Sequence, residues 1–237
     1  MAKKAAAVSL THMNTVERLA GTIFFVVYLL VMPLLAERLF RVAEVLLDMS
    51  IDKGMQYALY YYVLFAVTLL IFHDFLFNTA ARFFDNLKRA LGSLLLSLLV
   101  FYGANELAYR VLRLFFSVGV NLNDRPIAAQ VSAAPRTTAV IVIMLSPIIE
   151  EVLFRGLVFG CLREKTRVTA YAVSAALFAF HSVWAAALSA WSFDQVLTAL
   201  LYLIPGLVFA WAFERSGTLW CSILLHAAVN ALALWGR

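Results

Sequence analysis

Residues 19 to 36 run from Leu19 to Ala36 without a charge, and the chain repeats that pattern almost to its end. A helix crossing a bilayer needs roughly 20 mostly apolar residues. Further runs of this kind are read at Gly54 to Phe72 (extendable through His73 and Asp74 to Ala81), Ala90 to about Val118, Thr137 to Leu162, Val168 to Ala190, Gln195 to Phe213 and Ser216 to Gly236. Residues 38 to 50 form an amphipathic segment that either extends the first span or lies in the interface. The expected fold is therefore an all-α, polytopic membrane helical bundle of seven or eight transmembrane helices. Hydrophobic residues make up 64% of the chain and charged residues 14%. A soluble domain carries about 25% charge. A surface this apolar is covered by lipid.

The charges mark topology. Lys3, Lys4, Arg18, Arg82, Lys88, Arg89, Arg163, Lys165, Arg167 and Arg215 fall on one side, against Arg38, Arg41, Lys53, Arg125, Arg136 and Arg237 on the other. Ten against six places the N-terminus in the cytoplasm. The basic residues sit in short clusters between apolar runs, so no nucleic-acid partner is expected. The first apolar run is too long for a signal-peptide core and is read as the first span, without cleavage. Cys161 and Cys221 read as two free thiols. The segment 119–136, rich in Asn and Asp, is read as a loop dividing an N-terminal scaffold (1–118) from a catalytic core (137–237).

A charge at the centre of a span costs about 2.5 to 3.5 kcal/mol, so each one there needs a reason. The stretch Ser146-Pro147-Ile148-Ile149-Glu150-Glu151-Val152-Leu153-Phe154-Arg155 holds three. Pro147 either bends the helix or starts a new one behind Ser146. Glu151 and Arg155 are four residues apart and can pair. Glu150 points about 100° away from Glu151 and has Phe154, not a cation, four residues on. It is the carboxylate left for chemistry. His181 and His226 lie mid-span, and Asn230 shares a helical face with His226. Glu106 and Arg110 read as a buried or interfacial ion pair, and Tyr60, Tyr61 and Tyr62 as packing or interfacial residues.

This set allows peptide hydrolysis. The reaction needs a water, a base, donors for the oxyanion and an acid for the leaving amine. Glu150 can take the proton with His181 orienting or sharing the water, and His226 and Asn230 can donate to the oxyanion. One Glu and two His are also a zinc ligand set, so zinc on Glu150, His181 and His226 stays open, although no HExxH is present. No cofactor is favoured.

The three motifs, Glu150-Glu151-x-x-x-Arg155, His181 in an Ala/Phe-rich span, and His226-x-x-x-Asn230, resemble the CAAX protease and bacteriocin-processing family, relatives of type II CAAX prenyl endopeptidases. The stretch Ser216-Gly217-Thr218-Leu219-Trp220 is similar to that family's lead into its last motif. The resemblance covers residues 137 to 235. Leu177 stands where the second motif usually has Phe. The resemblance implies an intramembrane endopeptidase in which Glu150 and His181 activate water, His226 and Asn230 stabilise the oxyanion, and Glu151 and Arg155 support the site. It leaves glutamate and zinc chemistry both open. The implied partners are the bilayer and a peptide or protein substrate cut near the membrane surface. A non-proteolytic relative acting in bacteriocin immunity or scaffolding is the rival, and a transporter is disfavoured for want of repeats. Small size and the absence of eukaryotic targeting signals point to a bacterial cytoplasmic membrane.

Overall fold

A computed structural model describes residues 13–116, 134–189 and 191–235. Most of the expected loop 119–136, and with it Arg125, lies outside the described residues, as do Lys3, Lys4, Ala190 and Arg237. The described chain is an all-α bundle. Six helices are long and apolar enough to cross a membrane: α1 (Thr15–Leu47), α2 (Lys53–Asp85), α3 (Leu87–Phe115), α4 (Pro135–Arg163), α5 (Arg167–Ser189) and α6 (Phe193–Ser216). A shorter apolar helix, α7 (Leu219–Trp235), completes it. Its 17 residues span about 26 Å at 1.5 Å per residue, slightly less than a hydrocarbon core of about 30 Å. No eighth span occurs among the described residues. The amphipathic segment after residue 38 continues α1 to Leu47, where Asp48 ends the helix in the left-handed conformation (φ 49°).

Local chemistry sets the ends. Asn14 caps α1 by accepting from the Glu17 amide, and Glu17 returns the bond to the Asn14 amide, both at 2.8 Å. Asp52 caps α2 through the Met55 amide at 3.0 Å. α2 leaves helical geometry at Phe72 (φ −112°, ψ 21°). The same Glu17 carboxylate accepts from the freed Phe75 amide at 2.9 Å, so the cap of α1 also repairs the kink of α2. Gly217 ends α6 with φ +79°, a conformation that favours glycine.

α6 lies at the centre, packed on α5 and α3, with α7 laid against α3, α4 and α6. Close approach of α5 and α6 depends on Gly206: a Cβ there would stand 2.8 Å from the Ala175 backbone. The turn before α7 is docked on α2. Thr218 Oγ1 donates to the Thr79 carbonyl at 2.7 Å and Trp220 Nε1 to the Leu76 carbonyl at 3.2 Å. These bonds set the register of α7 and hence the height of His226. Both cysteines are free thiols. Glu106 and Arg110 pair at 2.7 Å with both side chains exposed, so the pair is not buried within the bundle.

Gly206→Leu should force α5 and α6 apart and destabilise the bundle by about 1 to 3 kcal/mol. Thermal unfolding in detergent should show a lower melting temperature than wild type; an unchanged midpoint would contradict the close approach.

Candidate active site

α4 carries both central carboxylates and is not a uniform α-helix. It widens into π-helical turns at Ile141–Leu145 and Val152–Phe159, on either side of the α-helical turn Ser146–Glu151. Pro147 therefore neither breaks α4 nor starts a separate helix. It sits in the first turn after a π-helical segment, where its missing N–H is accommodated.

Glu151 and Arg155 are both fully buried, with side-chain exposure of 0%. Arg155 Nη1 donates to Glu151 Oε1 at 3.0 Å, the contact expected from their four-residue spacing. His226 Nδ1 lies 2.9 Å from the same oxygen, and Ser222 Oγ donates to Glu151 Oε2 at 2.5 Å. The Arg155 guanidinium also reaches the Pro205 carbonyl at 3.2 Å, and its centre lies 4.2 Å from the Phe178 ring and 5.2 Å from the Phe209 ring. Phe178 thus supplies an aromatic face although Leu177 holds the position where the family pattern has Phe. Beneath this network the His226 ring lies 4.8 Å from Phe209.

Glu150 has another environment. It is half-buried and accepts from Ser146 Oγ, one turn back. The expectation that it has no partner at helical spacing is corrected: the sequence argument looked four residues ahead, and the partner lies four behind. Its carboxylate is close enough to interact electrostatically with His181, Tyr28 and the tyrosines of early α2, Tyr57, Tyr60 and Tyr61. Tyr60 and Tyr61 pack edge to face on one another and against the core, as the packing reading of this run expects.

His181 is held by α1. Its Nε2 lies 2.9 Å from the hydroxyl of Tyr28, which the π-helical turn Val27–Val31 places in the core. Its Nδ1 is buried and has no hydrogen-bond partner among the described residues. Asn230 Nδ2 donates to the Val142 carbonyl at 2.8 Å, in the first π-helical turn of α4. One of its two amide hydrogens is thus used on the backbone, which the shared face with His226 did not reveal. A cavity of about 470 Å³ opens between α1, the start of α2 and the start of α4, lined in part by Met32, Phe40, Lys53, Tyr57, Tyr60 and Thr137.

The sequence reading missed three partners. Ser146 and Ser222 each stand one turn from a named residue, so the helical spacing held their signal. Tyr28 carried a weaker one, a hydroxyl that shares an uncharged span only with Thr22. Among the described residues, no group of three His, Cys, Asp or Glu side chains is placed to hold a metal ion. Tyr28 takes up one His181 nitrogen and Glu151 one His226 nitrogen.

Fold and centre together define the class: a multi-pass α-helical membrane protein with a buried carboxylate, arginine and histidine network. Residues 132–232 match the family model described as type II CAAX prenyl endopeptidase Rce1-like, so the resemblance drawn from the motifs holds over that segment. A Bacillus subtilis (strain 168) relative, "Putative membrane peptidase YdiL", is 24% identical over 119 residues, 50% of this chain and 45% of its own length. The match thus spans less than half of that relative. No solved structure matches.

Arg155→Met should leave Glu151 buried without its cation and cost about 3 to 5 kcal/mol. Glu150→Gln, at a half-buried site with a hydroxyl donor, should change stability by less than about 1 kcal/mol. Unfolding midpoints of the two purified variants test this contrast; comparable losses would contradict the different roles of the two carboxylates.

Proposed function

We propose that this protein is an intramembrane endopeptidase that hydrolyses a peptide bond of a membrane-associated or lipidated protein or peptide. The observation that carries the reading is the division of labour between adjacent carboxylates. Glu151 is consumed by Arg155, Ser222 and His226. Glu150 holds one serine hydroxyl and stands within electrostatic reach of His181. A carboxylate of this kind is a base in search of a proton, and a water between it and His181 is the group that can supply one.

In this scheme Glu150 takes a proton from the water while His181 orients it. The oxygen attacks the scissile carbonyl carbon, and the carbonyl oxygen becomes an oxyanion. His226 and Asn230 stabilise that charge: Glu151 accepts from His226 Nδ1–H, so that with its second proton the ring donates from Nε2–H, and Asn230 retains one amide hydrogen beyond its bond to Val142. Collapse of the intermediate breaks the C–N bond, and Glu150 returns its proton to the leaving amine. Arg155 and Glu151 hold the frame. The cavity between α1, the start of α2 and the start of α4, lined in part by Tyr57 and Tyr60, is the place this reading assigns to an extended peptide. The proposed setting is a bacterial cytoplasmic membrane with the N-terminus inside. No metal-dependent step enters this scheme.

The test is cleavage in proteoliposomes. Membrane-tethered peptides, prenylated at a C-terminal cysteine motif or unprenylated, are incubated with the protein and products are read by mass spectrometry. Glu150→Gln should lower the rate by about 10² to 10⁴, the usual contribution of a general base. Equal cleavage by wild type and Glu150→Gln would overturn the proposal. Thorough chelation should leave the rate unchanged, with no stoichiometric zinc by elemental analysis. Loss of activity restored by zinc alone would move the reading to a metalloprotease.

A further inference from the structure

Near the proposed centre, three side-chain polar atoms are buried without a hydrogen-bond partner among the described residues: Arg155 Nε on α4, and His181 Nδ1 and Trp184 Nε1, which both belong to α5. The two on α5 stand three residues apart, hence as neighbours on one helical face. An indole nitrogen is only ever a donor. The His181 nitrogen is a donor or an acceptor depending on its tautomer, and Tyr28 decides which.

The Tyr28 side chain is 1% exposed, and its hydroxyl has the His181 Nε2 atom as its hydrogen-bond partner, at 2.9 Å. Two arrangements of this bond exist. If His181 donates from Nε2, the phenol proton of Tyr28 is left buried with no acceptor, and Nδ1 is left as a lone pair with no donor. If Tyr28 donates to Nε2, the phenol is satisfied and the ring carries its proton on Nδ1. Each arrangement leaves one buried donor unsatisfied, at about 1 to 3 kcal/mol, but the first also strands the Nδ1 lone pair, whereas the second leaves only an Nδ1–H that an entering acceptor can meet, so the second arrangement is the favoured one. The imidazole also lies close along the phenol ring, with centroids 4.7 Å apart, so its orientation is fixed as well as its tautomer.

We infer that Tyr28 is a positioning residue for His181: it locks the imidazole as the Nδ1–H tautomer and so makes His181 a hydrogen-bond donor toward the attacking water. The inference rests on the endopeptidase reading for the identity of that water, though not for the tautomer. His181 then acts on the water's oxygen while Glu150 takes the water's proton, and the two groups do not compete for the same hydrogen. Trp184 supplies a second donor on the same face, so this side of α5 presents two N–H groups and calls for an acceptor oxygen. Tyr28 comes from α1, outside the segment matched by the family model.

The experiment is a long-range proton–nitrogen correlation spectrum of the full chain in detergent micelles, with histidine labelled with ¹⁵N, at a pH where the imidazoles are neutral. Loss of one pattern in His181→Gln assigns that residue. Wild type should show a protonated Nδ1 and an unprotonated Nε2 at His181. Tyr28→Phe should lose that pattern, with His181 moving to the Nε2–H form or to a mixture. His226, held by Glu151, should keep its pattern and so report that the fold persists. Three results would overturn the inference: Nε2–H in wild type, protonation of both nitrogens in wild type, or an unchanged Nδ1–H pattern in a folded Tyr28→Phe. Should Tyr28→Phe fail to fold, the wild-type pattern alone decides. No substrate or turnover enters the measurement, so a protein that cleaves nothing would sink the endopeptidase reading and still answer the question of Tyr28.

Discussion

Arg155 carries a guanidinium with no exposed surface into the middle of the bundle, and the surrounding helices are arranged to accommodate it. An uncompensated charge in such a place costs several kcal/mol. Glu151 provides the counter-charge from the same helix, α6 provides a backbone carbonyl and the Phe209 ring, and α5 provides the Phe178 ring. Once Glu151 is committed to Arg155, its remaining lone pairs must also be met, and Ser222 and His226 of α7 meet them. The shortest of the described helices is thereby tied to the buried ion pair of α4. His226 is held where it is because Arg155 is charged.

That arrangement explains why two neighbouring glutamates differ so sharply. On a helix they diverge by about 100°, so only one of them can face the arginine. α4 adds to the separation by widening into π-helical turns above and below the pair. Such turns are frequent at functional sites because they aim side chains that a regular helix would not. One glutamate ends in a closed network. The other ends beside Ser146, His181 and a set of tyrosines, where its charge is only partly answered. A carboxylate in a place of this kind gains most from a water or a substrate.

Much of this was legible in the sequence because it is local. Apolar runs of sufficient length gave the helices, and a four-residue spacing predicted the Glu151–Arg155 contact. The extension of α1 to Leu47 was one of two readings, and sequence could not choose because amphipathic periodicity is the same in either position. The bond from Asn230 to the Val142 carbonyl was not legible, since a π-helical turn and its freed backbone acceptor leave no mark in residue type. Nor was the double use of Glu17. Its capping role follows from spacing, but its bond to the Phe75 amide depends on a kink 58 residues away. The pairing of Tyr28 with His181 spans 153 positions and is purely tertiary.

The division of the chain into scaffold and catalytic core follows the distribution of unusual polar residues, yet the centre does not respect it. Tyr28 from α1 touches the imidazole directly, and Tyr57, Tyr60 and Tyr61 of α2 surround Glu150 electrostatically. The cavity beside them is walled by α1 and α2 as much as by α4. Motifs in the second half supply the ionisable groups, since chemistry tolerates few alternatives there. The first half shapes what those groups meet, with hydroxyls and rings that many sequences can provide. The family-model match at residues 132–232 follows the same division: Glu150, Glu151, Arg155, His181, His226 and Asn230 lie within it, while Tyr28 and the tyrosines of α2 lie outside it.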